Sequence, residues 1–176
     1  MKANLVKLTC GLALLGAAAM VQAQTYTTLD DPLGVNGAAT IAFGISGNNI
    51  VGSYTAGSGN TYGFLYNGST FTALNDPSAA YGTFAYGVSG NIIAGTYTDS
   101  SGNDDGFLYN GGTYTTLDDP NGINTIAFGI SGTTIVGTYT DSSDYNDGFI
   151  VSVPEPSTLV LAGLGGLAGL LFRHRK

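Results

Sequence analysis

The sequence predicts an all-β protein: three four-stranded repeats of about 43 residues, closed into a propeller-blade or prism-like threefold body. Two observations carry this. Gly44-Ile45-Ser46-Gly47 returns as Gly87-Val88-Ser89-Gly90 and Gly129-Ile130-Ser131-Gly132, and Gly63-Phe64-Leu65-Tyr66 returns as Gly106-Phe107-Leu108-Tyr109 and, more loosely, Gly148-Phe149-Ile150-Val151. Short β-branched and aromatic runs alternate with Gly, Asn, Asp and Ser, which is the signature of strands divided by turns.

Each repeat reads as strands a to d. Strand a covers Thr40–Ser46, Thr83–Ser89 and Thr125–Ser131; strand b covers Ile50–Thr55, Ile93–Thr98 and Ile135–Thr140. Strand c covers Gly63–Asn67, Gly106–Asn110 and Gly148–Ser152; strand d covers Thr70–Asn75 and Thr113–Asp118. Asn67-Gly68 and Asn110-Gly111 mark c–d hairpins, because the favoured hairpin turns need positive φ. The third repeat has no strand d, yet Tyr26-Thr27-Thr28-Leu29-Asp30 matches one. The expectation is that this N-terminal strand pairs with the last strand c and completes the last sheet, which removes two exposed edges. Three blades are fewer than the ~4–8 of common propellers, so a β-trefoil and half of a six-bladed dimeric ring stand as alternatives.

Charge narrows the chemistry. The chain holds 176 residues with a net charge of −7, and all five Lys and Arg lie at its ends, with His174 and Glu155 among the terminal residues. Residues 24–152 carry eleven Asp and no Glu, Lys, Arg, His or Cys. This stretch therefore offers no imidazole or amine base, no thiol, no disulfide and no ion pair. Nucleic acid is excluded as a partner, since no cation is there to displace phosphate counterions.

Residues 1–23 read as a signal peptide. Lys2 and Lys7 precede the uncharged apolar run Leu8–Met20, and Val21-Gln22-Ala23 offers the small residues of a cleavage site. At the other end, Val153-Pro154-Glu155-Pro156 leads into the uncharged stretch Ser157–Phe172 and then Arg173-His174-Arg175-Lys176. Sixteen helical residues would span ~24 Å against a ~30 Å hydrocarbon core, a marginal membrane crossing with its cations on the cytoplasmic side.

This order of features resembles the PEP-CTERM sorting signal of Gram-negative bacteria that make extracellular polysaccharide. The resemblance implies an exported protein held transiently in the inner membrane by its C-terminal helix. It implies an exosortase-like membrane partner, with Pro154, Glu155, Pro156, Arg173 and Arg175 as sorting residues and the cell surface or extracellular matrix as destination. The 24–152 repeats also resemble extracellular HAF-family repeats, through Gly44-Ile45-Ser46, Ile50-Val51-Gly52 and Gly63-Phe64-Leu65. That family's His-Ala is replaced here by Tyr62-Gly63, Asp105-Gly106 and Asp147-Gly148, and the resemblance supplies no activity.

Three candidate sites remain. The b–c loops 99–106 and 141–148 both place Asp first and seventh, so Asp99, Asp105, Asp141 and Asp147 suggest a Ca²⁺ site built from hard oxygen ligands. The competing reading is turn chemistry, since Asp, Asn, Ser and Gly are good turn formers and the first repeat's loop, Ala56 to Tyr62, has no carboxylate. Tyr62 and Tyr145, beside these loops, suggest stacking on sugar rings. The Leu-Asp-Asp-Pro corners suggest a glycoside hydrolase pair, but carboxylates before Pro that recur in every repeat are better explained as turns. The leading expectation is a non-enzymatic surface or matrix protein; a Ca-assisted glycan-binding, lectin-like module is second, and an Asp-based hydrolase third.

Overall fold

The computed structural model describes residues 24–34 and 39–153. The signal peptide and the stretch from Pro154 onward, with its sorting residues and apolar segment, lie outside the described residues. The described chain is all-β, with eleven strands and no helix. The strands run β1 (Thr40–Ser46), β2 (Asn49–Thr55), β3 (Thr61–Tyr66), β4 (Phe71–Leu74), β5 (Gly82–Ser89) and β6 (Ile92–Thr98). They continue with β7 (Asp104–Asn110), β8 (Thr113–Leu117), β9 (Gly122–Ser131), β10 (Thr134–Asp141) and β11 (Asn146–Ser152).

They form three antiparallel meanders: β1 to β4, β5 to β8, and β9 to β11. The first two are linked by one parallel bridge, Thr61 to Gly82, and the third is a separate sheet. The meanders pack face to face. Val51 and Leu74 of the first lie against Ala85 and Val88 of the second. Ala94 and Leu108 of the second lie against Ala127 and, less completely, Ile130 of the third. Close approach is built into the a strands: a Cβ on Gly87 would sit 3.1 Å from the Ile130 amide nitrogen and 3.2 Å from Gly129 Cα. Hydrogen bonds repeat across both junctions. The Gly90 amide donates to Ser46 Oγ at 3.0 Å, and the Gly132 amide to Ser89 Oγ at 2.9 Å.

The expected closure does not form. Residues 24–31 belong to no strand, Tyr26 is 88% exposed, and β11 is paired only with β10. The body is thus an open stack, and the closed threefold ring is corrected to sheets that do not close. The physical reason lies in the order of packing. Each meander covers the next, so β11 and the leading segment end at opposite extremities of the stack, two interfaces apart.

Candidate functional site

The feature most legible in three dimensions is an aromatic ladder on the a strands. The pairing register slips once in β1, once in β5 and twice in β9; Phe43, Tyr86 and Phe128 are unpaired extra residues at equivalent places, and Ile123 is the second one in β9. A β-bulge bends its strand and re-aims the side chain it carries. Here it turns three rings out of the alternation and toward one another: centroids lie 5.0 Å apart for Phe43 and Tyr86, and 5.4 Å for Tyr86 and Phe128. Phe43 and Phe128 remain exposed and Tyr86 is half-buried. Burial raises the Tyr86 hydroxyl above the ordinary tyrosine range, and the Asp104 charge adds to this.

Taking Phe84 as the counterpart of Phe43 and Phe128 leaves Tyr86 without an aromatic partner in the repeats. The pairing corrects this. Phe84 lies opposite Thr96 as Ile41 lies opposite Ser53, and Tyr86 occupies the bulge. The signal that would have found it is the Gly-(Ile/Val)-Ser tripeptide, which each bulged aromatic immediately precedes.

The two Leu-Asp-Asp-Pro corners and their counterpart Leu74-Asn75-Asp76-Pro77 are turns. The Asp31, Asp76 and Asp119 amides donate to the hydroxyls of Thr40, Thr83 and Thr125 at 3.2, 3.1 and 3.0 Å. One carboxylate oxygen of each accepts the amide two residues on, from Leu33, Ser78 and Asn121, at 2.9, 2.8 and 2.9 Å. Asp31 and Asp76 are buried in this role. These are Asx turns, in which the side chain mimics a backbone turn.

The b–c loops follow the same logic. Asp99 Oδ1 accepts the Ser101 and Asn103 amides at 2.8 and 2.9 Å, and Asp141 Oδ1 accepts those of Ser143 and Tyr145 at 2.8 and 3.0 Å. The carboxylate-free loop of the first meander closes identically, its Ala56 amide donating to Asn60 O at 2.9 Å as Asp99 does to Asn103 O. A left-handed residue sits at the same place in all three: Gly59, Gly102 and Asp144. Asp147 Oδ2 accepts the Tyr139 hydroxyl at 3.4 Å, and Asp105 is hydrogen-bonded to Tyr97. Burial raises Asp105 above the usual carboxylate range, the Tyr97 bond lowers it, and the charges of Asp99, Asp104 and Asp76 raise it again. Among the described residues, no three carboxylates or other metal-ligating side chains gather into one cluster. The structure therefore does not bring Asp99, Asp105, Asp141 and Asp147 together.

Tyr62 packs against Tyr54 with centroids 5.8 Å apart and lines a hollow of about 110 Å³ with Asn75, Ala79 and Tyr81. Tyr145 stands exposed two meanders away. The two do not share a site. Other hollows are also small, about 170 Å³ beside Asp118 and Phe149 and about 230 Å³ beside Leu65 and Tyr109, against ~300–1,000 Å³ for small-molecule pockets.

The PEP-CTERM protein-sorting motif covers residues 152–176, beginning at the last residue of β11. Proteins bearing this motif are substrates of exosortase, a membrane protein, so the chain carries the mark of an exported protein that passes through the membrane to the surface or exterior. No curated protein and no solved structure matches the chain. Among the described residues no helix is long and apolar enough to cross a membrane; the apolar segment 157–172 lies outside them.

Proposed function

We propose that this chain is a non-enzymatic cell-surface or extracellular-matrix protein, held in the inner membrane until an exosortase processes its C-terminus. The observation that carries the reading is the contiguity of the sorting motif with the folded body: β11 ends at Ser152, where the motif begins. That body would be held within a few residues of the membrane before processing and displayed whole afterward. The composition of residues 24–152 supports a structural role. Their aspartates are largely committed to turns and neighbouring side chains, and their eleven uncompensated negative charges keep the body soluble by self-repulsion among polysaccharide chains.

A glycan contact is the second reading, and the observation that favours it is the aromatic ladder rather than the loop tyrosines. Three rings in line offer rigid contact area at low entropic cost.

Both readings are testable in the full chain. Replacing Pro154-Glu155-Pro156 with alanines should leave uncleaved protein in the inner membrane; unchanged processing and release would refute exosortase handling. For the glycan reading, Phe43→Ala, Tyr86→Ala and Phe128→Ala should each reduce retention on extracellular polysaccharide, and retention equal to the parent chain's would dismiss it.

A further inference from the structure

Residues 25–32, Thr-Tyr-Thr-Thr-Leu-Asp-Asp-Pro, are identical to residues 113–120. In the second copy of this sequence, Thr113–Leu117 is β8, paired along β7 from Gly106–Leu117 to Asn110–Thr113. In the first copy, the corner at Asp31 is seated on Thr40 as Asp119 is seated on Thr125, but the residues before it pair with nothing in the described structure. The β8 relation shows where such a segment goes. It leaves its corner to pair with strand c of the preceding meander. The strand c left unpaired on that side is β11, at the far end of the stack.

We propose that the leading segment and the first meander dock onto the third meander of a second copy of this chain, head to tail, continuing the stack across the junction. Thr25–Leu29 of one copy then adds to β11 of its neighbour by strand augmentation, with Thr27 opposite Ile150 as Thr115 is opposite Leu108. Two further observations converge on the same geometry.

The faces left bare are those buried inside the stack. Val136 and Ile150 are 46% and 73% exposed, whereas their counterparts Val51, Ala94 and Leu108 are buried. At the opposite end Ala42 and Ile45 are exposed, Ile45 at 69%, whereas Ala85, Ala127 and Val88 are buried. Apolar residues bared in one patch on each end mark an association surface. The serine ladder is also incomplete in a complementary way: Ser46 and Ser89 accept the amides of Gly90 and Gly132, which leaves Ser131 at one end and the Gly47 amide at the other as the next matching pair. The junction carries one like-charge approach, Asp30 of one copy near Asp147 of the other, in the places of Asp118 and Asp105, whose charges already act on one another within the chain. A head-to-tail contact of this kind closes a ring if its rotation allows and otherwise grows; two copies supply six meanders, within the common propeller range.

Full-length chain with Cys10→Ser in detergent tests this by sedimentation and by cross-linking. The parent chain should sediment as a dimer or larger. Ile45→Asp and Ile150→Asp, both at exposed positions and with unchanged far-UV spectra, should each sediment as monomers. Mixed, they should recover a one-to-one dimer, because each retains the face the other lacks. Chains carrying Thr27→Cys and Ile150→Cys separately should form a disulfide dimer only when mixed and oxidised. A parent chain that stays monomeric at all concentrations overturns the proposal. So does dimerisation of either Asp variant alone, which means a face pairs with itself. So does an internal disulfide in the doubly substituted chain, which means the segment closes on its own β11.

Discussion

The sharpest stability test concerns Gly95. It lies opposite Phe107 in the β6–β7 pair, as Gly52 lies opposite Phe64 and Gly137 opposite Phe149. A Cβ placed on Gly95 would reach 2.7 and 2.8 Å from Phe107 Cε1 and Cζ and be driven into the Phe84 carbonyl oxygen. Phe107 is fully buried and cannot swing away, and a backbone oxygen moves only with its strand. Gly95→Ala is therefore overpacking without a flexible partner, which costs ~1–3 kcal/mol, here toward the upper end. With an m-value of ~1–3 kcal/mol per molar urea, the unfolding midpoint should fall by about 1–3 M at constant m. Phe107→Ala alone should cost ~3–5 kcal/mol. The double variant should lose less than the sum of the two single losses, by a coupling of about 1 kcal/mol, because removing the ring removes half of the clash. A midpoint for Gly95→Ala equal to the parent's would refute the packing argument. Strict additivity in the double variant would refute the claim that ring and glycine are matched.

The remaining predictions concern charge. Burial, then the Asp105 charge, raises Asp118 above the usual carboxylate range, opposed by a hydrogen bond from the Gly106 backbone; Asp105 is raised as well. A carboxyl whose folded pKa exceeds its unfolded value binds more protons in the folded state, so stability falls as pH rises through the window between the two. Melting temperature should accordingly rise on acidification from neutral pH into the carboxylate range, and a fall there would contradict the assignment. Residues 24–152 hold no cation to pair with their aspartates, so raising salt to about 0.1 M, where the Debye length is ~10 Å, should also raise the melting temperature. Asp99→Ala strips two amides of their acceptor and should cost about 1 kcal/mol in urea unfolding. If Asp99 acts only as a turn residue, calcium and chelator will give the same melting curve for the parent chain; a calcium-dependent upshift lost in Asp105→Asn would establish the metal site instead.

The division between sequence and tertiary structure runs through particular residues. Strand limits were legible from turn chemistry. β1 spans the residues read as strand a, and Gly47, Gly90 and Gly132 take the positive φ that their turns demand. The Asx corners were equally legible, since an Asp side chain and the amide two residues on need nothing beyond the local chain. The bulges were not. The Gly-(Ile/Val)-Ser tripeptide marks Tyr86 as the counterpart of Phe43 and Phe128, but a bulge is a mismatch between two strands and shows only in which residues of β6 lie opposite.

Residues 25–29 and 113–117 mark the limit most clearly. The same five side chains form a strand at one place and none at the other. Local propensity is equal in both, so only the neighbour differs: β7 presents an open ladder to Thr113–Leu117, while the first meander offers Thr25–Leu29 none. The sequence by itself settled that the repeat body is all-β, where its turns fall and that the chain bears a sorting motif. The tertiary structure decided that the sheets stay open, because pairing requires a partner edge within reach and the stacking order puts β11 at the far end.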